Sequence, residues 1–162
     1  MNTGRVWKYG DDVNTDVIFP GKYTYQPMEP EEMAEHAMED LDPTFATNVK
    51  PGDIIVAGSN FGCGSSREQA ATCLKAAGVA AVIAPSFSRL FFRNAINSGL
   101  PAIELAEGTE GMQMGDEAGV DFAAGTVEHN GKTYAFPPLP PEVLAILQDG
   151  GLIPHVKKVL AG

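Results

Sequence analysis

The stretch Asp53-Ile54-Ile55-Val56-Ala57-Gly58-Ser59-Asn60-Phe61-Gly62-Cys63-Gly64-Ser65-Ser66-Arg67-Glu68 decides the fold class. It opens with a short apolar run of the kind that forms a strand buried on both faces. A glycine-rich loop follows, and either Ser65 or Ser66 can then cap a helix. Ser65-Ser66-Arg67-Glu68 and Ser66-Arg67-Glu68-Gln69 both fit the capping-box pattern, which predicts a helix running to about Ala77. Gly78 supplies the C-terminal stop.

Working outward, Val79 to Ala84 reads as the next buried strand, Ser86 to Asn97 as a second helix closed by Gly99, and Ala102 to Leu105 as a third strand. Strand, helix, strand, helix, strand at this spacing predicts parallel strands joined by right-handed crossovers. Towards the N-terminus, Arg5 to Gly10 alternates like a strand. Asp11-Asp12-Val13-Asn14-Thr15-Asp16 is dense in turn formers and predicts a structured polar loop. Glu29 to Met38 reads as a short acidic helix with Pro30 near its start. Beyond Gly108, Val120 to Phe136 reads as a hairpin turning at Asn130-Gly131, Glu142 to Leu147 as a short helix, and His155 to Leu160 as a terminal amphipathic turn. The expectation is a single α/β domain over residues 1–162, a parallel βαβαβ core with added antiparallel strands.

The formal charge of −10 argues against nucleic acid or an anionic membrane as a partner, because neutralising phosphates needs clustered cations. No stretch approaches the ~20 apolar residues of a membrane span, and the first residues lack the apolar core of a signal peptide. Two cysteines make neither a disulfide framework nor a metal site, so a cytoplasmic location with reduced thiols is expected. The charge is unevenly placed. Pro27 to Asp42 holds seven acids and no Lys or Arg, whereas Ser59 to Ile103 holds Arg67, Lys75, Arg89 and Arg93 against the single acid Glu68. A cationic segment in an acidic chain is suited to an anionic ligand.

The 58–68 loop is where such an anion would sit. Backbone N–H groups at a helix start, the helix dipole and the fork of Arg67 all favour a carboxylate there. Three better-known loops fail on named residues. No Lys follows the last glycine as in a phosphate-binding loop. Arg67 stands where the third glycine of a dinucleotide fingerprint belongs. Ser65 is followed by Ser66-Arg67 where a hydrolase elbow needs a glycine two residues on.

Phe61-Gly62-Cys63-Gly64-Ser65-Ser66-Arg67-Glu68 resembles the signature of the swivelling domain of aconitases, which in one branch stands alone as the small subunit of a two-subunit hydro-lyase. Asp11 to Ile18 resembles the opening loop of that family, Ala84 to Asn97 its second helix, and Gly150-Gly151-Leu152-Ile153 its C-terminal turn, so the likeness spans nearly the whole chain. It implies the swivelling β/β/α fold and a reaction that moves a hydroxyl between adjacent carbons by losing and regaining water. It also implies that Ser65 is the catalytic base, that Ser66 and Arg67 contact a substrate carboxylate, and that Asp16 supports the site. By the same resemblance no cofactor is bound by this chain. A [4Fe–4S] cluster is expected in a partner large subunit, paired with this one as a heterodimer or heterotetramer, and self-association of the isolated chain stays open.

The residues are consistent with that division of labour. A cubane needs several thiolates, and this chain offers Cys63 and Cys73, ten residues apart. Cys63 reads as a small side chain filling a tight turn and Cys73 as core. His36, His129 and His155 have no metal or triad spacing and read as surface residues. Phe87, Leu90, Phe91 and Phe92 read as core. Arg89 and Arg93, one helical turn apart, share a face and serve either an anion field or acidic neighbours.

Within the resemblance, substrate choice falls to the loop Gly21-Lys22-Tyr23-Thr24-Tyr25-Gln26-Pro27, which makes Lys22, Tyr23, Thr24 and Tyr25 substrate-binding candidates. A third carboxylate, as in citrate-like or homocitrate-like substrates, would want an Arg fork. No Arg occurs between Val6 and Ser66, and two tyrosines stand in the loop. That favours a small dicarboxylate with an alkyl substituent, as in isopropylmalate, with Lys22 as a residue that could serve an acidic one. Hydro-lyases acting on homoaconitate, dimethylmalate or methylmalate are the near alternatives. A carboxylate-binding module without catalysis would need Arg67 but no base.

Overall fold

Alternate residues of the central strands are buried in opposite directions, and this fixes the layering. The computed structural model describes residues 2–65 and 67–161. In chain order these form strand β1 (Asn2–Lys8), a helical turn α1 (Thr15–Ile18), α2 (Pro30–Ala34), α3 (Phe45–Asn48), β2 (Ile54–Val56), α4 (Glu68–Ala76), β3 (Ala81–Ala84), α5 (Arg89–Asn97) and β4 (Ala102–Glu104). Strands β5 (Glu117–Asp121), β6 (Thr126–His129) and β7 (Lys132–Ala135) follow, then helices α6 (Pro141–Gln148) and α7 (Leu152–Ala161). The seven strands form one sheet in the order β4-β3-β2-β1-β5-β6-β7.

β1 to β4 pair in parallel, with Ile55 opposite Trp7 and Val82, while β5, β6 and β7 add antiparallel neighbours on the other side of β1. Ile55 and Val82 point into a core shared with α4 and α5 through Leu74, Cys73, Phe91 and Ala95. Ile54, Val56 and Ile83 point the other way and meet Val120, Val127 and Phe136 from the antiparallel half. Strands covered on both faces have no room for polar alternation, which is why they read as continuous apolar runs. Asp53, only 5% exposed at the start of β2, takes hydrogen bonds from the Trp7 indole (2.9 Å) and the Lys50 backbone (2.9 Å).

The expected parallel core and the Asn130-Gly131 turn are both present. Asn130 (φ 51°) and Gly131 (φ 76°) are left-handed in succession, the signature of a type I′ turn, and they close β6 onto β7 with His129 opposite Lys132. Four expectations are corrected. The helix after the glycine loop starts at Glu68, with Arg67 in the cap position and no capping bond from its side chain, so Ser65 is not the cap. The cause is tertiary: bridges from Cys63 to Asn14 and from Phe61 to Phe87 pin the loop to its neighbours, with Gly62 (φ 81°) and Gly64 (φ 96°) out of helical geometry, so the helix begins only at Glu68. The acidic helix stops at Ala34, and turns continue to Leu41; within them Met38, with a φ of 61° and an N–H bond to Ile18 O (2.8 Å), takes the backbone out of helical geometry. His129 is buried, 5% exposed, and its Nε2 is 2.8 Å from Asp116 Oδ2. Leu90 is 46% exposed, because it lies on the outer side of α5 while Phe91 faces inward.

Candidate active site

Three segments distant in sequence meet at one end of the parallel strands. Residues 9–16 leave β1, residues 57–67 leave β2 and residues 85–88 leave β3, so each crosses the same edge of the sheet. This is where open α/β sheets place their ligands. The loops are laced by backbone bonds: Gly62 N–H donates to Val13 O (2.7 Å), Thr15 N–H to Cys63 O (2.9 Å) and Phe61 N–H to Ser86 O (3.1 Å). Asp11 accepts from the Ser59 N–H (2.8 Å), and the Asn60 amide donates to Asp12 (3.1 Å). Gly62 is held at φ 81°, and a methyl group there would stand 2.2 Å from the Phe91 ring, so this position requires glycine twice over.

Asn14 caps α1 by accepting from the Val17 N–H (3.1 Å), and this places Asp16 in the first helical turn, facing the second loop. Asp16 and Arg67 form an ion pair there. The guanidinium is three-quarters covered and the carboxylate largely exposed. Arg67 also lies over Gly21: a methyl group at position 21 would be 3.1 Å from its terminal nitrogen. Ser65 is exposed, two residues before Arg67, and it makes no hydrogen bond with another described residue. It follows Gly64, whose φ of 96° turns the chain outward. Ser66 lies outside the described residues. Among the described residues the first turn of α4 receives no side-chain cap, which suits its leading N–H groups to an anion beside Arg67.

The 21–27 loop starts in contact with this centre and then leaves it. Gly21–Tyr23 forms a single 3₁₀ turn, and the Thr24 hydroxyl donates to Gly21 O (2.7 Å). Tyr23 stacks on His36 with ring centres 3.9 Å apart and donates to Glu39 (2.9 Å). Lys22 is 3.8 Å from Glu39. The bond to Glu39 raises the Tyr23 phenol above its ordinary range. Tyr25 is 90% exposed. Asp16, Ser65, Arg67 and the start of the loop are therefore brought together. Lys22 and Tyr23 are anchored to the acidic segment instead, and Tyr25 stands free.

Among the described residues no three His, Cys, Asp or Glu side chains converge as metal ligands. Cys73 is fully buried, its S–H directed at Ala70 O (3.3 Å), and burial pushes its thiol up. Cys63 is half-buried in the loop. Arg89 and Arg93 are exposed on α5 without an ion pair among the described residues. No helix among the described residues is long and apolar enough to cross a membrane.

Sequence reasoning missed Gly21 and Thr15 as parts of this site. Gly21 matters through its contact with Arg67, and Thr15 carries a buried hydroxyl with no partner among the described residues. Neither contact leaves a local pattern in the chain.

Comparison with known proteins agrees with this arrangement. The Aconitase C-terminal domain family matches residues 11–108, the span that holds all three converging loops. The 3-isopropylmalate dehydratase small subunit of Heliobacterium modesticaldum is 51% identical over 98% of this chain and 96% of its own length. That of Nautilia profundicola is 52% identical over 98% and 95%. The crystal structure of 3-isopropylmalate dehydratase from Methanocaldococcus jannaschii superposes with a TM-score of 0.92 at 43% identity, covering 99% of this chain and 95% of that one. With near-complete coverage on both sides, the chain belongs to the family of 3-isopropylmalate dehydratase small subunits, built on the aconitase C-terminal domain.

Proposed function

We propose that this chain, as one swivelling domain over residues 1–162, supplies the base and the carboxylate clamp of a 3-isopropylmalate dehydratase. The reaction interconverts 2-isopropylmalate and 3-isopropylmalate by dehydration and rehydration, a step of leucine biosynthesis, and we place it in the cytoplasm. The observation that carries this reading is the Asp16–Arg67 ion pair close in sequence to an exposed Ser65, on segments that lie within the residues matched by the Aconitase C-terminal domain.

Arg67 grips one carboxylate of the substrate through its fork, with help from the free N–H groups at the start of α4 and from Ser66. Asp16 holds the guanidinium in register. Ser65 takes the proton from the carbon next to that carboxylate. As the proton leaves, negative charge grows on the carboxylate, where the donors are already in place. A [4Fe–4S] cluster in the partner large subunit would supply Lewis-acid chemistry for the departing hydroxyl.

An open site also argues for a partner. Asp16 is 63% exposed at its side chain and Ser65 is exposed, so in the isolated chain water would screen the Arg67 charge and leave the Ser65 hydroxyl too weak a base. A cluster-bearing large subunit closing over this face, in a heterodimer or heterotetramer, excludes that water. The loop at Lys22, Tyr23, Thr24 and Tyr25 then borders the substituent, and its lack of an Arg favours an isopropyl group over a third carboxylate.

The test is anaerobic reconstitution with the large subunit of the same organism. Turnover of isopropylmalate, homoaconitate, dimethylmalate and methylmalate is followed by the ultraviolet absorbance of the unsaturated dehydration product. Isopropylmalate is the expected best substrate, each subunit alone is expected to be inactive, and Ser65→Ala is expected to assemble but not turn over. Full activity of Ser65→Ala would remove Ser65 from the chemistry.

A further inference from the structure

Thr15 presents a polar atom in the wrong place for stability. Its residue is 1% exposed, and its Oγ1 is buried without a hydrogen-bond partner among the described residues. Buried hydroxyls are nearly always satisfied, and an orphan costs free energy that a valine of the same shape would avoid. The location is specific. Thr15 N–H is bound to Cys63 O at 2.9 Å, and its Oγ1 lies 3.5 Å from where a Cβ on Gly64 would be. The unsatisfied hydroxyl therefore faces the backbone immediately before Ser65, and the next residue along, Asp16, holds Arg67. One short helical turn, fixed by the Asn14 cap, presents both side chains to the same loop.

We propose that Thr15 is a positioning residue for the proton transfer, its hydroxyl donating a hydrogen bond to the Ser65 oxygen in the assembled, substrate-bound complex. This inference rests on the reading of Ser65 as the base. A donor at that oxygen stabilises its deprotonated form and fixes the direction from which it meets the substrate carbon. The proton removed from carbon goes to Ser65, and Thr15 keeps its own proton throughout. The orphaned hydroxyl of the isolated chain is thus a group whose partner arrives with assembly.

The experiment compares Thr15→Val, Thr15→Ser and Ser65→Ala in the reconstituted complex. As an isolated chain, Thr15→Val is expected to melt at or above the temperature of the unaltered chain, because there it removes an unsatisfied buried group. In the complex its kcat is expected to fall about tenfold to a hundredfold, the loss of one hydrogen bond to a charged group, with KM nearly unchanged. The rising limb of its kcat–pH profile is expected to move to higher pH, since the base has lost a donor. Thr15→Ser, which keeps the hydroxyl, is expected to restore both. Should the valine variant fail to assemble, Thr15→Ala against Thr15→Ser gives the same comparison. Unchanged kcat and pH profile in Thr15→Val, alongside an inactive Ser65→Ala, would overturn the role of Thr15 and leave Ser65 as the base. Failure of serine to rescue would overturn it equally. An active Ser65→Ala would instead sink the underlying reading.

Discussion

The Arg67 guanidinium lies against the backbone of Gly21, so closely that a methyl group on Gly21 would come within 3.1 Å of a terminal nitrogen. Gly21 has an ordinary helical backbone, so alanine there strains nothing locally. The added carbon would instead displace the guanidinium by a few tenths of an ångström. Gly21→Ala should therefore fold normally but lose about tenfold in kcat/KM, as misplacement of a positioning group does. Thermal melting and steady-state kinetics on the same preparation separate the two effects. A drop in melting temperature with intact kinetics would show that Gly21 serves packing alone.

Asp16 and Arg67 act through one guanidinium, so their substitutions should not add. With the carboxylate largely exposed, the pair stabilises the fold by no more than about 1 kcal/mol, and Asp16→Asn should barely move the melting temperature. Arg67→Lys replaces a fork with a point charge and should cost at least about tenfold in kcat/KM. In the double variant, Asp16→Asn should cost far less than it does alone, because the lysine has little orientation to lose. Fully additive losses would mean that Asp16 works independently of Arg67.

How much of this was legible in the chain depends on the range of the interaction. The β2–loop–α4 unit, the parallel order and the Asn130-Gly131 turn follow from local patterns, and the structure has them. The start of α4 does not, because the bridges from Cys63 to Asn14 and from Phe61 to Phe87 override a good capping sequence. Met38 leaves helical geometry under the pull of Ile18, twenty residues earlier, and His129 is buried by a carboxylate on a preceding turn. At the site, the 61–68 motif names Ser65 and Arg67, and the opening loop names Asp16. The orphaned Thr15 hydroxyl and the Gly21 contact exist only once those loops meet, and nothing in either segment alone announces them.

Acid should destabilise the protein through the acidic segment that anchors Lys22 and Tyr23. Burial works to raise the Glu39 carboxyl, but hydrogen bonds from His36 and Tyr23 outweigh it and hold it below its ordinary 4.5. Asp42 is likewise opposed by burial but held below 3.8 by bonds from Thr44 and Tyr9. A carboxylate with a lowered folded value contributes stability that is complete above the unfolded value and lost as pH falls through the folded one. Urea midpoints should therefore be flat from pH 7 to about 5 and decline below about 4.5. Glu39→Gln should be less stable at pH 7 yet show a shallower decline. Parallel curves for the two proteins would assign the acid sensitivity elsewhere.

Tyr25 offers the cleanest test of how substrates are told apart, because nothing in the fold depends on it. It is 90% exposed and has no hydrogen bond, ion pair or ring partner among the described residues, whereas its neighbour Tyr23 is tied to His36 and Glu39. The loop leaves Gly21 at the Arg67 guanidinium, so a side chain at position 25 lies a few residues along from the proposed carboxylate clamp. On the proposed reading, a tyrosine there would present a ring to the substituent, against which an isopropyl group would lose water. An arginine would present a fork that a carboxylate-bearing substituent can satisfy and an alkyl group cannot. Tyr25→Arg should keep the melting temperature within about a degree or two, since exposed positions contribute little to stability. It should lower kcat/KM for isopropylmalate and raise it for homoaconitate, a combined shift of about tenfold or more for one new charge-assisted contact. The ratio of the two values measured on one reconstituted preparation is the readout, because it cancels differences in cluster loading. An unchanged ratio would place the substituent pocket away from this loop.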